Sequence, residues 1–303
     1  MKRTNQNVTA VIVTYNRLSL LKESIKALLN QSKKINHLLI INNNSTDGTD
    51  KWLSTLKDKK IEVINLEKNI GGAGGFNFAV KKFMTDFDDS FVWLMDDDTI
   101  PNKDALAELL KLFIKHPESS FASSNTRWTD GSPALMNVVS PQEPEWPMFL
   151  NQKENFVQLK HATFVSLLIS RDVISKIGLP QKEYFIWGDD IEYTERAAKI
   201  GPGFFVPNSI VIHKMKTNTP PGNIATDNNK DRLPRYFYEY RNRLQTARHR
   251  PFTSKIKTWL HSLQDFLQTL FSPHTKNRFY KTWLIIKGTV AGIFFRPKIE
   301  KAE

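Results

Sequence analysis

The 303-residue sequence contains no cysteine, which excludes disulfides and thiolate metal sites and makes a reducing compartment unremarkable. It also lacks an uninterrupted apolar run of the roughly 18 residues needed to span a bilayer. The opening MKRTNQNVTAVIVTYN is basic but has neither a long apolar core nor a small-residue cleavage site, so it reads as the approach to a strand and not as a signal peptide. No internal repeat is present. Acid is scarce at one end only. From Lys230 to Glu303 there are sixteen Lys/Arg against five Asp/Glu, within a formal net charge of +12 for the whole chain. The first 229 residues are therefore close to neutral, and any anionic partner belongs to the tail. Length, with 40% hydrophobic residues, fits one large α/β domain plus a smaller appendage.

What is present is an alternation. VTAVIVTYN, HLLIINNNSTDGT, IEVINLEKN and SFVWLMDD read as strands, each followed by a helical stretch: SLLKESIKALLNQ, TDKWLSTLK, NFAVKKFM and NKDALAELLKLFIKH. In the first helix Leu20, Leu21, Ile25, Leu28 and Leu29 share a face, and Ser19 is the predicted N-cap. Such alternation predicts a parallel sheet covered by helices, with ligands bound beyond the carboxyl ends of the strands. The polar segments from Thr14 to Arg17, Asn42 to Thr49, Asn69 to Gly75 and Asp96 to Asp98 all fall at those ends. Their coincidence predicts a single site. From about residue 120 the rhythm breaks, with TRWTDGSPALMNVVSPQEPEWP carrying several prolines and little periodicity. FVQLKHATFVSLLISRDVISKIG then predicts a strand and a short helix, EYFIWGDDIEYTERAAKIG an acidic turn entering a helix, and GFFVPNSIVIHKM a strand ending in His213. KTNTPPGNIATDNNKD reads as a mobile polar loop. It divides a first domain, residues 1–215, from a linker and basic amphipathic helical region, residues 216–303.

Three clusters have the residue types for chemistry. Gly71, Gly72, Gly74 and Gly75 allow backbone to approach a ligand and present amide hydrogens to an anion. The spacing matches neither the dinucleotide fingerprint nor the phosphate loop, and a plain strand-to-helix turn has the same composition. Asp96, Asp97 and Asp98 follow the apolar run FVWLM. They fit a solvated loop, a helix N-cap, or a site for Mg²⁺ or Mn²⁺, which take oxygen ligands and bridge carboxylates to phosphates. A cap needs one carboxylate, and three suggest the cation. His213 is a possible further ligand, or a structural surface residue. WGDDIEY places Asp189, Asp190 and Glu192 at a turn, suited either to a general base or to the acidic start of a helix. Arg196 stands four residues after Glu192, where a helix would let the two pair.

Taken in order, VIVTYNR, INNNSTDGT, NIGGAGGF, WLMDDD, WGDDIEY and the late His213 resemble glycosyltransferase family 2 over roughly residues 7 to 215. These are inverting enzymes that use nucleotide-sugars. The resemblance implies a GT-A (Rossmann-like) domain with a mixed central sheet, followed here by a basic helical region. It implies that Thr14, Tyr15 and Arg17 line the nucleotide pocket and that Asn42 or Asn43 faces the base. Asn69 and the glycines would sit by the ribose and diphosphate, and Asp97, Trp187, Asp189 and Glu192 would border the substrates. Asp96 and Asp98 would hold the cation, Mn²⁺ or Mg²⁺, with His213 completing its shell, and Asp190 would be the catalytic base. The family usually has Asp where this chain has Asn42. An amide still matches a pyrimidine imide edge, which is the same in uracil and thymine. The glycine-dense loop with MDDD, WGDDIEY and the late His is similar to the galactofuranosyltransferase branch. UDP-galactofuranose is therefore the expected donor, with dTDP-rhamnose the alternative, and a glycan or lipid-linked acceptor in cell-surface polysaccharide synthesis.

The tail mixes Arg, Lys and aromatics, with Trp259, Leu260, Leu263, Phe266, Leu267, Leu270 and Phe271 at helical spacing. Two readings stand: helices packed on the catalytic domain, and a peripheral contact with an anionic membrane. The second would place the chain in the cytoplasm at the inner face of the cell membrane. YRNRL resembles a segment that follows the catalytic domain in family members, so Arg241 and Asn242 are expected to border the acceptor or diphosphate. A nucleic-acid-binding protein would explain the tail but not three acids at a strand end, and no standard nucleic-acid motif appears. A nucleotidyltransferase would need a basic glycine-rich loop after the first strand. A non-catalytic sugar-nucleotide-binding or scaffold protein is the remaining rival.

Overall fold

The computed structural model describes residues 6–144 and 156–302. The first five residues of the leader and the end of the proline-containing stretch lie outside the described residues. Ten strands form one mixed sheet in the order β3-β2-β1-β4-β9-β6-β10-β8-β7, with β5 paired to β10. The parallel half follows the predicted alternation: β1 (Val8–Thr14), α1 (Leu18–Leu29), β2 (His37–Asn42), α2 (Thr49–Leu53), β3 (Ile61–Asn65), α3 (Gly71–Asp86), β4 (Phe91–Asp96), then β5 (Thr99–Pro101) and α4 (Ala105–Lys115). The second half comprises β6 (Phe121–Arg127), β7 (Ser140–Pro141), β8 (Val157–His161), β9 (Leu167–Ser170), α5 (Arg171–Ile177), α6 (Asp189–Ala198) and β10 (Gly203–His213). Three helices close the chain: α7 (Tyr236–Arg248), α8 (Phe252–Phe271) and α9 (Arg278–Phe294).

The central strands are apolar on both sides because both faces of the sheet are covered. Val11 and Val13 of β1 and Val92 and Leu94 of β4 point to one face, where Phe76, Val80 and Phe83 of α3 and Ile174 of α5 pack on them. Ala10, Ile12, Phe91, Trp93 and Met95 point to the other, against Leu21, Ile25 and Leu28 of α1 and Leu106, Leu109 and Phe113 of α4. Each face thus takes alternate residues of the same strands, as the period of two requires.

The structure departs from the sequence reading in several places. The segment read as one strand before the short helix is two, β8 and β9, and β9 runs antiparallel to both β4 and β6. Strand β6 lies inside the sheet although its sequence FASSNTR is largely polar. Its Ser124 hydroxyl is satisfied by Ser166 and Ser209, each at 2.7 Å, and Ser166 also accepts from Trp93 Nε1 at 2.9 Å. Ser19 is not a cap. Arg17 holds the N-cap position of α1, and Asp47 from the β2 loop accepts the Leu18 N–H at 3.0 Å. The polar loop before α7 is pinned midway, with Ile224 and Ala225 buried and the Ala225 carbonyl bonded by Lys281 Nζ at 3.0 Å.

Gly203, at the start of β10, is where the second half is packed most tightly: a Cβ there would come within 2.0 Å of Phe121 Cζ. Phe121 is fully buried and cannot yield without disturbing the sheet. Gly203→Ala is expected to destabilise the chain by about 1–3 kcal/mol, read as a lowered urea midpoint with an unchanged slope. A wild-type midpoint would mean the β6–β10 contact is looser than described.

Candidate active site

Strands β1, β2 and β4 deliver their carboxyl ends side by side, Val13 in register with Asp96 and Thr14 with Asn42. Asp96 ends β4, and Asp97 and Asp98 form the turn between β4 and β5. The capping reading fails there, because α4 starts later and Asp104 occupies its N-cap position. Each carboxylate meets a different partner. Asp97 is buried and accepts from the Thr14 hydroxyl at 2.7 Å and the Tyr15 N–H at 3.2 Å, tying β1 to β4. Burial and the neighbouring Asp98 push its pKa up to about 7 despite those bonds and Arg17. Asp98 is also buried, but it is ion-paired to Arg17 Nη1 and lies 3.0 Å from His213 Nε2. Burial alone would raise its pKa; His213 and Arg17 outweigh that and hold it below the usual carboxylate range. Asp96 is half-buried, and burial with the Asp98 charge raises it to about 6.

His213 closes the far side of this group. Burial would lower its pKa, yet Asp98 and Asp96 raise it. Its other ring nitrogen, Nδ1, lies 2.7 Å from Asn137 Oδ1, which fixes the ring with Nε2 toward the acids. Asp96, Asp98 and His213 each offer a ligand atom within 4.8 Å of the others, and they are the group of this kind found among the described residues. Two carboxylates and an imidazole oriented from behind suit a divalent cation such as Mn²⁺ or Mg²⁺.

The residues expected at the nucleotide pocket sort by contact. Tyr15 is exposed at the mouth. Asn42 and Asn43 are buried at the end of β2, and their amides bond to the loops: Asn42 to Asn65 at 2.7 Å and Ser45 N at 3.1 Å, Asn43 to the Gly71 carbonyl at 3.0 Å and the Ile70 N–H at 2.9 Å. Asn69 accepts from the Gly71 N–H at 2.8 Å. The glycines are not equivalent. Gly71 has φ +77° and a Cβ there would lie 2.1 Å from the Phe185 carbonyl oxygen, while Gly75 lets α3 close on Val13 with only 2.5 Å for a Cβ. Gly74 packs on Ile70, and only Gly72 of the four has open space beside it.

The acidic turn arrives from the other side. Asp189 is buried and Asp190 half-buried at the start of α6. Burial, then the adjacent Asp190, raises Asp189 well above its ordinary range. Burial also raises Asp190, to about 6, with the Asp96 charge adding to it and the Ile191 N–H opposing. Asp189 and Asp190 both feel the Asp96 charge, so the turn lies near the β4 acids. Glu192 does not join them: it is buried, and Arg196 takes both of its oxygens, at 2.9 and 2.8 Å, the pairing its spacing predicts. Arg196 also donates to the Ile177 and Leu179 carbonyls, making the pair a brace between α6 and the end of α5.

What holds the turn is a residue the sequence assigned to a substrate. Phe185, Trp187 and Gly188 all have positive φ, at 63°, 65° and 87°, and for the two aromatic residues that conformation carries strain. Asn242, buried on α7, donates its amide to the Tyr184, Ile186 and Trp187 carbonyls at 2.9, 3.1 and 2.9 Å. Arg241 adds a bond to the Tyr184 carbonyl at 3.2 Å and donates to Asn242 Oδ1 at 3.0 Å. The Phe185 carbonyl in turn accepts the Ala73 N–H at 3.1 Å, so the turn is clamped between the glycine loop and α7. Trp187 stacks edge-on with Tyr236 at 5.3 Å, under the Arg232 guanidinium. Asn137 and this second use of Asn242 had no signal in the sequence: one lies in the aperiodic stretch, 76 residues from His213, and the other inside an ordinary helix.

Residues 9–178 match the family model described as glycosyl transferase family 2. Among relatives, the galactofuranosyltransferase GlfT1 of Mycolicibacterium smegmatis is 26% identical over 213 residues, 65% of this chain and 67% of that protein. Among solved structures, GalNAc-T7 with UDP, GalNAc and Mn²⁺ superposes with a TM-score of 0.58 at 16% identity, over 86% of this chain and 56% of that one. The mannosyltransferase PcManGT from Pyrobaculum calidifontis, in complex with GDP-Man and Mn²⁺, gives 0.57 at 16% identity, over 97% of this chain and 88% of that one. At such identities the structural likeness speaks to the fold, which is GT-A.

The clamp on the turn is open to a direct check. Asn242→Asp keeps volume and removes both N–H donors, so the Tyr184, Ile186 and Trp187 carbonyls lose their bonds from this side chain and face a carboxylate instead. It is expected to lower the urea midpoint at least as far as Asn242→Ala, each by about 1–3 kcal/mol. An Asp variant as stable as wild type would show that the amide bonds do not hold the turn.

Proposed function

The chain belongs to glycosyltransferase family 2, and we propose that it is an inverting, metal-dependent enzyme that transfers galactofuranose from UDP-galactofuranose to a glycan or lipid-linked acceptor. What supports the chemistry is that Asp96, Asp98 and His213 gather where β4 and β10 end and that Asp190 lies near enough to feel the Asp96 charge. The similarity to a galactofuranosyltransferase supports the donor sugar. The chain acts in cell-surface polysaccharide synthesis, in the cytoplasm at the inner face of the membrane, with its basic C-terminal region touching the bilayer.

In this reading the nucleotide enters over Tyr15, whose exposed ring offers a face to the base. Arg17, partly exposed beside Asp98, lines the entrance, Thr14 is buried behind it and holds Asp97, and Asn42, Asn43 and Asn69 shape the pocket by holding its loops. Gly72 gives the diphosphate room at the start of α3. Asp96, Asp98 and His213 would hold the cation, which when bound neutralises charge gathering on the departing nucleoside diphosphate. Asp190 is the general base. Its raised pKa lets it take the proton of an acceptor hydroxyl near neutral pH while remaining largely ionised beforehand. The hydroxyl oxygen attacks the anomeric carbon as the bond to the diphosphate breaks on the opposite face. One displacement inverts that centre, with no covalent sugar–enzyme intermediate.

Purified protein with Mn²⁺, an acceptor-containing lipid extract and either UDP-galactofuranose or dTDP-rhamnose tests this by release of nucleoside diphosphate. Release from the UDP sugar, abolished by EDTA, is expected. Release from dTDP-rhamnose alone would overturn the donor and leave the site. Asp190→Asn should retain donor binding in calorimetry and lose transfer by about 10²–10⁴-fold, whereas Asp98→Ala should weaken both. Because a raised carboxyl pKa leaves the base protonated in acid, transfer should fall as pH drops through about 6. Transfer at the normal rate by Asp190→Asn would remove the base assignment.

A further inference from the structure

The last two helices carry their apolar faces outward. In α8 the fully buried side chains are Ser262 and Thr269. Asp265, on the same stripe, accepts from the Tyr240 hydroxyl at 2.9 Å and from Arg243 at 3.0 Å. Ile256, Trp259, Leu260, Leu263, Leu267 and Phe271 recur along the other side and are exposed. An amphipathic helix of a globular protein ordinarily turns that stripe to the core; α8 instead docks through Ser262, Asp265 and Thr269, with Phe266 as an apolar contact.

Helix α9 reaches the same result differently. Gly288 and Gly292 let it press on α7, where a Cβ would come within 2.6 Å of the Phe237 carbonyl and 2.9 Å of Leu244. That closeness buries Leu284 and Ile285 and leaves Trp283, Ile286 and Val290 outside. Phe252, Phe271, Phe279 and Phe294 are 74%, 71%, 81% and 78% exposed, far beyond the scattered apolar residues of an ordinary surface. Residues 251–302 carry nine Lys/Arg against two Asp/Glu. Both acids are engaged, Asp265 as above and Glu300 with Lys81 and Lys182. No helix among the described residues is long and apolar enough to cross a membrane.

We propose that the α8–α9 surface is immersed in the headgroup region of an anionic lipid bilayer, its apolar stripe among the acyl chains and its exposed Lys and Arg residues, Lys257, Lys276, Lys287 and Arg296 among them, on lipid phosphates. Interfacial helices of this kind bind by buried apolar area together with attraction to anionic lipid. Trp259, Trp283 and Tyr280 suit the boundary, since each joins an apolar body to a polar tip. A second copy of the chain fits less well, because a two-fold contact would set this basic surface against itself. The assignment rests on the membrane contact proposed above and names the surface that makes it. It also links that surface to the candidate site, for α7, on which both helices pack, is the helix that clamps the Phe185–Gly188 turn.

Flotation of the full chain with vesicles of phosphatidylcholine alone, or of equal parts phosphatidylcholine and phosphatidylglycerol, tests the proposal without any sugar donor. The chain is expected to float with the mixed vesicles at least about tenfold better than with the neutral ones, and less well in high salt. Leu263→Glu combined with Ile286→Glu, both on exposed positions, should cut that binding by at least about tenfold while leaving UDP binding intact. Bromine-labelled lipid should quench the fluorescence of wild type and less that of Trp259→Phe/Trp283→Phe. Wild type that stays with the unbound fraction, or a double Glu variant that floats like wild type, would overturn the proposal. So would a lipid-free dimer by light scattering that the double Glu variant converts to monomer, which would make this face a contact between copies. UDP binding lost with flotation intact would instead count against the nucleotide-sugar reading alone.

Discussion

Repulsion among three adjacent carboxylates at the end of a fully buried strand is the constraint around which the site is organised. Side by side in a desolvated turn, Asp96, Asp97 and Asp98 cannot all ionise without help. The chain separates them by giving each a different neighbour. Asp97 is absorbed into the joint between β1 and β4 through Thr14 and Tyr15. Asp98 is stabilised as an anion by Arg17 and His213. Asp96 is left half-buried, facing the cleft and the acidic turn. One carboxylate is thus structural, one strongly charged, and one poised, and the same arrangement that relieves the repulsion brings together three side chains that could hold a cation.

The opposite wall of the cleft is built from strain and its restraint. A turn with two aromatic residues in the left-handed region would relax if released. It is held by Asn242 from α7 and by the Ala73 N–H at the glycine loop, and Gly71 is needed because any side chain there would strike Phe185. Glycine loop, acidic turn and C-terminal helices are therefore one mechanical unit. The C-terminal region is part of the site's construction although none of its residues is an acid of the cleft.

Much of this was legible in the sequence where local pattern and tertiary role agree. The four strand–helix repeats, their apolar faces and the collection of polar motifs at strand ends follow from periodicity, because buried strands and amphipathic helices must repeat at 2 and 3.6. The pairing of Glu192 with Arg196 followed from helical spacing alone. Strand β6 was missed because its serines are satisfied by other serines far away in sequence, which no window of neighbours reveals. Asn137 and Asn242 were misread or unseen for the same reason: an amide's role depends on which carbonyl or ring the fold brings to it. The tail's periodicity was visible, but not that α8 would turn its polar stripe inward.

The central claim is that Asp96, Asp98 and His213 are cation ligands beside a nucleoside diphosphate. Anomalous diffraction from crystals of the chain grown with Mn²⁺ and UDP tests it most directly. The account predicts one Mn²⁺ bound to those three side chains and to diphosphate oxygens, with Asp190 across the cleft and not coordinated. Manganese bound elsewhere, or UDP bound in this pocket with Arg17 alone on Asp98 and no metal beside it, would contradict it.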